Sequence, residues 1–255
     1  MTSHQGKIFR AAPRVCDAYC TLGFERDEVL TSAELLSLMD STGADLALIA
    51  PCSHELAVAN REGNRRIAKI ADTDPGRFLP GFSINPWHRH VALEMAEEAR
   101  SGGGKVMILA PHRQGYHLCD PVVDDLVEWA AEKNLPIYAH ASPSSSGTPA
   151  QLFLLAERFP RARFLLGRGG TSDYAYDMLP VLGLRLPNLW FDSGFVRPSG
   201  LQTYAETAGD RFCFSSCSPQ NDMRLERELL EEMVPESLLS GILGGNFLRF
   251  LNGHD

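Results

Sequence analysis

The strongest constraint on this chain is a rhythm. Eight short apolar runs, rich in β-branched or aromatic residues, occupy 14–20, 45–51, 78–84, 105–110, 136–141, 163–167, 188–192 and 211–216. Segments with helical periodicity lie between them, among them 33–42, 55–71, 91–100, 122–133, 149–159 and 225–233. Strand and helix alternating at this spacing describe βα units on a parallel sheet. Eight such units in about 240 residues fit a single (β/α)8 TIM barrel of class α/β better than an open sheet. The barrel is expected over residues 12–252, with 1–11 as an N-terminal extension. No Gly-x-Gly-x-x-Gly follows the first run, which weighs against a dinucleotide-binding fold. Gly102-Gly103-Gly104 precedes a strand and reads as a helix stop and turn. The Ser/Pro/Gly-rich stretch 142–147 follows the fifth run. That places it at the C-terminal mouth, as a plain connection or as a cover for a bound substrate.

Charge and composition narrow the function classes. The formal net charge is −8, with Asp+Glu 32 against Lys+Arg 24, and no basic stripe offsets it. A nucleic-acid partner is therefore not expected. No apolar run approaches the ~18 residues of a membrane span. The N-terminal stretch lacks the apolar core of a signal peptide, so the expected compartment is the cytoplasm. The six cysteines, Cys16, Cys20, Cys52, Cys119, Cys213 and Cys217, form no Cys-x-x-Cys pair and no zinc-ribbon spacing. They are expected to be free thiols, mostly small buried hydrophobes.

An ordered series of motifs then carries a resemblance. Cys16-Asp17-Ala18-Tyr19-Cys20-Thr21-Leu22-Gly23 resembles a first-strand I-D-A-H-x-H-L-G. Arg77-Phe78-Leu79-Pro80-Gly81-Phe82 with Asn85-Pro86-Trp87 is similar to R-F-x-G-F…N-P-W on the third strand. Gln114-Gly115-Tyr116 and Asp120-Pro121 resemble the loop after the fourth. Leu135-Pro136-Ile137-Tyr138-Ala139-His140 resembles L-P-V-x-x-H on the fifth, and Ala156-Glu157-Arg158-Phe159-Pro160 with Leu166-Gly167-Arg168 resembles A-E-R-F-P…L-G-H on the sixth. Phe214-Ser215-Ser216-Cys217-Ser218-Pro219 resembles F-G-S-D-x-P on the eighth, and Ile242-Leu243-Gly244-Gly245-Asn246 matches I-L-G-G-N. By these motifs the chain resembles the amidohydrolase-related barrels similar to aminocarboxymuconate-semialdehyde decarboxylase. The resemblance implies a divalent metal, usually zinc, held by the two histidines of H-x-H, the fifth-strand histidine and the eighth-strand aspartate, with a sixth-strand histidine assisting.

This chain departs from that set almost everywhere. Tyr19 and Thr21 stand for H-x-H, Arg168 for the sixth-strand histidine and Cys217 for the aspartate; only His140 remains. Catalytic zinc needs about three protein ligands and an open position. One imidazole, one cysteine and a fixed guanidinium do not supply them, so neither a metal nor another cofactor is expected. A salvage site using Cys20 fails because strand alternation turns Cys20 toward the helices.

The same alternation points Tyr19, Thr21, His140, Arg168 and Cys217 into the mouth. There Cys217 gains a route to a lowered pKa and nucleophilicity from His140 and Arg168. His140 serves as acid–base, Tyr19 as donor to an oxyanion, and Arg168 as anchor for a carboxylate. A structural ion pair from Arg168 to Asp192 or Asp17, and an inert buried Cys217, are the alternatives. His112 and Arg113 add a protonatable group and an anion contact; Trp87 forms a pocket wall or packs on a helix. Two functional readings follow. One is a metal-independent hydrolase or lyase acting on a small carboxylate-bearing molecule. The other is a catalytically inactive barrel that binds a ligand or partner, as a homodimer or with an active paralogue.

Overall fold

The computed structural model describes residues 15–25, 27–141, 146–168 and 185–253. The N-terminal extension 1–11 and most of the loop 142–147 lie outside the described residues. Ten strands are present among the described residues: β1 (Cys16–Thr21), β2 (Gly23–Glu25), β3 (Glu28–Leu30), β4 (Leu46–Ala50), β5 (Phe78–Ser83), β6 (Val106–Leu109), β7 (Ile137–His140), β8 (Phe164–Gly167), β9 (Leu189–Asp192) and β10 (Phe212–Cys213). β1 and β4 to β10 correspond to the eight apolar runs and pair in chain order, all parallel. The ring closes where Ala18 N–H donates to the Phe214 carbonyl (2.9 Å), Thr21 N–H to Ser218 (2.8 Å) and Cys217 N–H to Tyr19 (3.1 Å). The fold is a TIM barrel.

Every residue of the eight barrel strands is buried. Helices cover one face and the barrel interior the other, which is why these strands read as continuous apolar runs. The interior cluster includes Ala18, Tyr19, Leu48, Ile108, Tyr138 and Trp190. Phe247, Phe250 and Leu251 of the C-terminal helix Asn246–Asn252 join it, with Phe250 5.6 Å from Trp190. Strict alternation fails in β1. Its register shifts between Asp17 and Cys20, so Ala18 and Tyr19 both belong to the interior cluster. Cys20 packs with the outer layer, on the helix side as expected.

The helices begin and end on sequence signals. Thr31 and Glu34 form a capping box for Ser32–Thr42, and Gly43 ends it at φ +67°. Thr148 caps Pro149–Arg158, and Asp222 caps Met223–Met233. The Gly102–Gly104 triplet does terminate Ala92–Ser101, with Gly103 at φ +109°. Two features depart from the pattern. The expected helix over 55–71 is two helices, Ser53–Ala57 and Asn60–Thr73. The Asn60 amide donates to the carbonyls of Glu55 (2.9 Å) and Leu56 (2.8 Å), replacing the backbone bonds lost at the break. The hairpin of β2 and β3 was not foreseen, because three-residue strands are too short to show a period.

Candidate functional site

The site lies where the C-terminal ends of the barrel strands converge. Three successive strands, β8, β9 and β10, are followed by non-glycine residues in the left-handed region: Arg168 (φ +59°), Phe195 (φ +62°) and Cys217 (φ +55°). Such conformations are uncommon and concentrate where side chains must be aimed.

Tyr19 and His140 form the centre. The Tyr19 ring stacks on Tyr138 at 4.5 Å and meets His140 edge-on at 4.9 Å. Both residues are buried, Tyr19 at 3% exposure and His140 at 2%. Neither imidazole nitrogen of His140 makes a hydrogen bond, and the Tyr19 hydroxyl has only the Thr21 hydroxyl near it, outside good hydrogen-bond geometry. Burial drives the Tyr19 phenol well up, opposed by the neighbouring Thr21 hydroxyl and the Arg168 charge. Burial also holds His140 well below the usual imidazole range, reinforced by the charges of Arg168, His112 and Arg113. His140 is therefore neutral at pH 7. His112 stacks over it at 5.7 Å with the planes 29° apart, so the two imidazoles face each other instead of converging on one point.

Arg168 is aimed from below. Its backbone N–H donates to Asp192 Oδ1 (2.9 Å), its guanidinium donates to Gln220 Oε1, and its Cζ lies 4.7 Å over the Phe195 ring. The sequence leaves open an ion pair from Arg168 to Asp192 or Asp17; the hydrogen bond to Asp192 runs through the backbone. Asp192 is fully buried, and its Oδ2 accepts the Tyr138 hydroxyl at 2.6 Å. Burial raises its carboxyl to about 7, opposed by the bonds from Tyr138, Arg168 and Ser215.

Cys217, read from the sequence as either a nucleophile or an inert buried thiol, lies beside Gly194 and Ser215. Its sulfur packs against Gly194, where an added Cβ would sit 2.4 Å away, and its polar contact is the Ser215 hydroxyl at 3.5 Å. Burial and the Asp192 charge hold the thiol well above its usual range, outweighing Arg168. A protonated thiol not bonded to the imidazole has lost the two conditions for attack.

Glu25, carried in by the hairpin, is a mouth residue the sequence reading missed. It is 4% exposed, and its carboxylate accepts from Ser53 N–H (2.9 Å), the Ser53 hydroxyl (2.5 and 2.6 Å), Arg113 (3.1 Å) and Gln220 Nε2 (3.3 Å). Arg113, expected as an anion contact, is thereby engaged internally. Trp87 sits on the rim at 47% exposure, where its indole N–H donates to the Gly115 carbonyl (3.2 Å). It steadies the loop carrying His112 and takes no part in the ring contacts around Tyr19.

The donor set does not fit the family's metal. Its positions hold a phenol, a hydroxyl, a single imidazole, a guanidinium and one thiol; the imidazole and the thiol are fewer than the roughly three ligands a catalytic zinc takes. Among the described residues no three His, Cys, Asp or Glu side chains are grouped to hold an ion.

Barrel, strand order and site position together define an amidohydrolase-type protein. The amidohydrolase family profile matches residues 45–252, and the chain belongs to that family. No curated protein matches. Among solved structures it is similar to 5-carboxyvanillate decarboxylase from Sphingomonas paucimobilis, at 16% identity and TM-score 0.76, covering 94% of this chain and 99% of that one. It is also similar to 2,6-dihydroxybenzoate decarboxylase from Rhizobium, at 14% identity and TM-score 0.71, covering 93% and 98%. A dihydroxybenzoic acid decarboxylase from Polaromonas, solved with manganese and 2-nitroresorcinol, matches at 13% identity and TM-score 0.72, covering 93% and 96%. Among the described residues no helix is long and apolar enough to cross a membrane.

Proposed function

We propose that this amidohydrolase-family barrel is a metal-independent enzyme, a hydrolase or lyase, that transforms a small carboxylate-bearing molecule at its mouth. The observation that carries the reading is the convergence of three buried polar atoms, the two unbonded nitrogens of His140 and Tyr19 Oη, whose neighbour is the Thr21 hydroxyl. A buried polar atom left unpaired costs about 1–3 kcal/mol. Three together are expected where a ligand completes the hydrogen bonds. In this reading Arg168 anchors the carboxylate, His112 and Thr21 flank it, and the face of Tyr19 suits a planar ring. The decarboxylase neighbours, named for aromatic carboxylates, support a lyase and that substrate class.

Substrate and His140 are linked through charge. Arg168 is one cause of the low proton affinity of His140. A carboxylate on Arg168 neutralises that charge, so His140 gains basicity when the substrate is in place. His140 then takes up a proton from solvent and donates it to the carbon that loses CO2, where the electron pair of the broken C–C bond forms the new C–H bond. Cys217 fills space in this scheme. Six free cysteines support a reducing, cytoplasmic setting.

The second reading is a binding or partner subunit without chemistry, paired with itself or with an active paralogue. The strongly suppressed basicity of His140 and the protonated thiol of Cys217 favour it. The test is release of CO2 from 2,6-dihydroxybenzoate and 5-carboxyvanillate by protein treated with a chelator. Turnover that survives chelation and falls ~10²–10⁴-fold in His140→Ala supports the enzyme. Turnover abolished by chelation and restored by a divalent metal refutes metal independence. Saturable binding with no turnover leaves the second reading.

A further inference from the structure

At the opposite end of the barrel, a cavity of about 340 Å³ is lined by residues that include Asn134, Arg161, Arg163, Pro187, Asn188 and Trp190. Its volume lies in the range of small-molecule pockets. Arg163, just before β8, is half-buried against it. Its Nη1 donates to Asn134 Oδ1 (2.9 Å) and its Nη2 to the carbonyls of Asn134 (2.8 Å) and Leu251 (3.4 Å), while Nε is buried without a partner. Every acceptor is neutral. No described carboxylate pairs with Arg163 or with the exposed Arg161 beside it. Gly253 backs the guanidinium so closely that an added Cβ would lie 2.4 Å from Nη1.

A half-buried cation with no counter-charge among the described residues is costly and calls for an anion. Burial alone depresses the Arg163 pKa, with no acid opposing it. Elsewhere the chain carries excess negative charge, so it has no general attraction for anions. We propose that this cavity binds a small organic oxyanion, a carboxylate or a phosphate monoester. Arg163 and Arg161 hold the anionic group, and Pro160, Pro187 and Trp190 wall its apolar body. Because Arg163 already joins the segment before β7 to the C-terminal helix, an occupant braces the floor of the barrel. Its effect is on stability and is separate from chemistry at the mouth.

The test is calorimetric titration and thermal melting of the full chain with inorganic phosphate, phenyl phosphate and benzoate. Chloride at matched ionic strength is the control. The work is done in an Arg168→Gln background, so that the mouth does not compete. At least one probe is expected to bind saturably and raise the melting temperature beyond chloride. Phenyl phosphate against benzoate separates the two anion classes. Arg163→Gln should weaken binding at least tenfold, and Arg161→Gln severalfold. Should Arg163→Gln not fold, Arg161→Gln and Arg163→Lys decide: Lys keeps the charge but loses the fork, so partial affinity is expected. Absence of saturable binding for all three probes, a shift no larger than with chloride, or affinity unchanged in the arginine variants overturns the proposal.

Discussion

Asp192→Asn tests the charge logic of the mouth. In the folded chain Asp192 is fully buried and its carboxyl is raised to about 7. In the unfolded chain an aspartate titrates near 3.9. Between those values the folded state holds a proton that the unfolded state has released. The stability this confers is complete below the unfolded pKa and is lost as pH rises through the folded one. Integrated from pH 5 to pH 8, the loss is about 2–3 kcal/mol at 1.36 kcal/mol per pKa unit. Asparagine has nothing to titrate, so this slope disappears. The variant gives up part of the bonding from Tyr138 and from Arg168 N–H, so it starts less stable at pH 5. Its deficit against the parent then shrinks, or reverses, by about 2–3 kcal/mol at pH 8. Urea unfolding of both proteins at the two pH values gives the double difference, in which the raised carboxyl of Asp17 cancels, while Glu226, raised in part by the Asp192 charge, is removed by making the comparison in a Glu226→Gln background. Parallel pH profiles, within about 0.5 kcal/mol, would refute the argument; that is the usual additivity error for independent sites.

Three further outcomes are expected. Gly167→Ala places a Cβ 2.1 Å from Tyr138 Cζ, inside a ring fixed by its stack on Tyr19 and its bond to Asp192, and should cost about 3 kcal/mol or more in urea unfolding. Glu25→Gln leaves Arg113 without its buried counter-charge and should cost about 3–5 kcal/mol, read as a lowered midpoint with an unchanged m-value. His140→Leu removes two unbonded buried nitrogens, so the ligand-free protein should melt at or above the parent temperature while carboxylate binding or turnover is lost; a large destabilisation would show that His140 is a structural residue.

The barrel was legible because strands buried on both faces leave dense apolar runs between helical segments. The β2–β3 hairpin was not, and Glu25 was missed with it: nothing local marks a carboxylate whose partners Ser53, Arg113 and Gln220 lie on three later loops. Tyr138 and Asp192 escaped for a related reason. They sit 54 residues apart on β7 and β9, and only the pairing of both strands with β8 brings the hydroxyl onto the carboxylate. Sequence left Cys217 between a nucleophile and an inert buried thiol, because residue type reports neighbours and not the burial that raises the thiol. Arg168 was placed correctly in chain order; its choice of Gln220 and Phe195 depended on a left-handed backbone that an arginine does not announce.

Closure of the ring has a consequence for synthesis on the ribosome. Asp17 accepts Ser216 N–H at 3.0 Å from a residue 199 positions further along. Until that late segment emerges, β1 has β4 on one side and an open edge on the other. Unpaired edges recruit strands from other chains, and a charge on the edge discourages them. Asp17 is that charge in the nascent polypeptide. It then becomes the acceptor that seats the final segment, so a guard against misassembly is converted into the latch of the finished barrel.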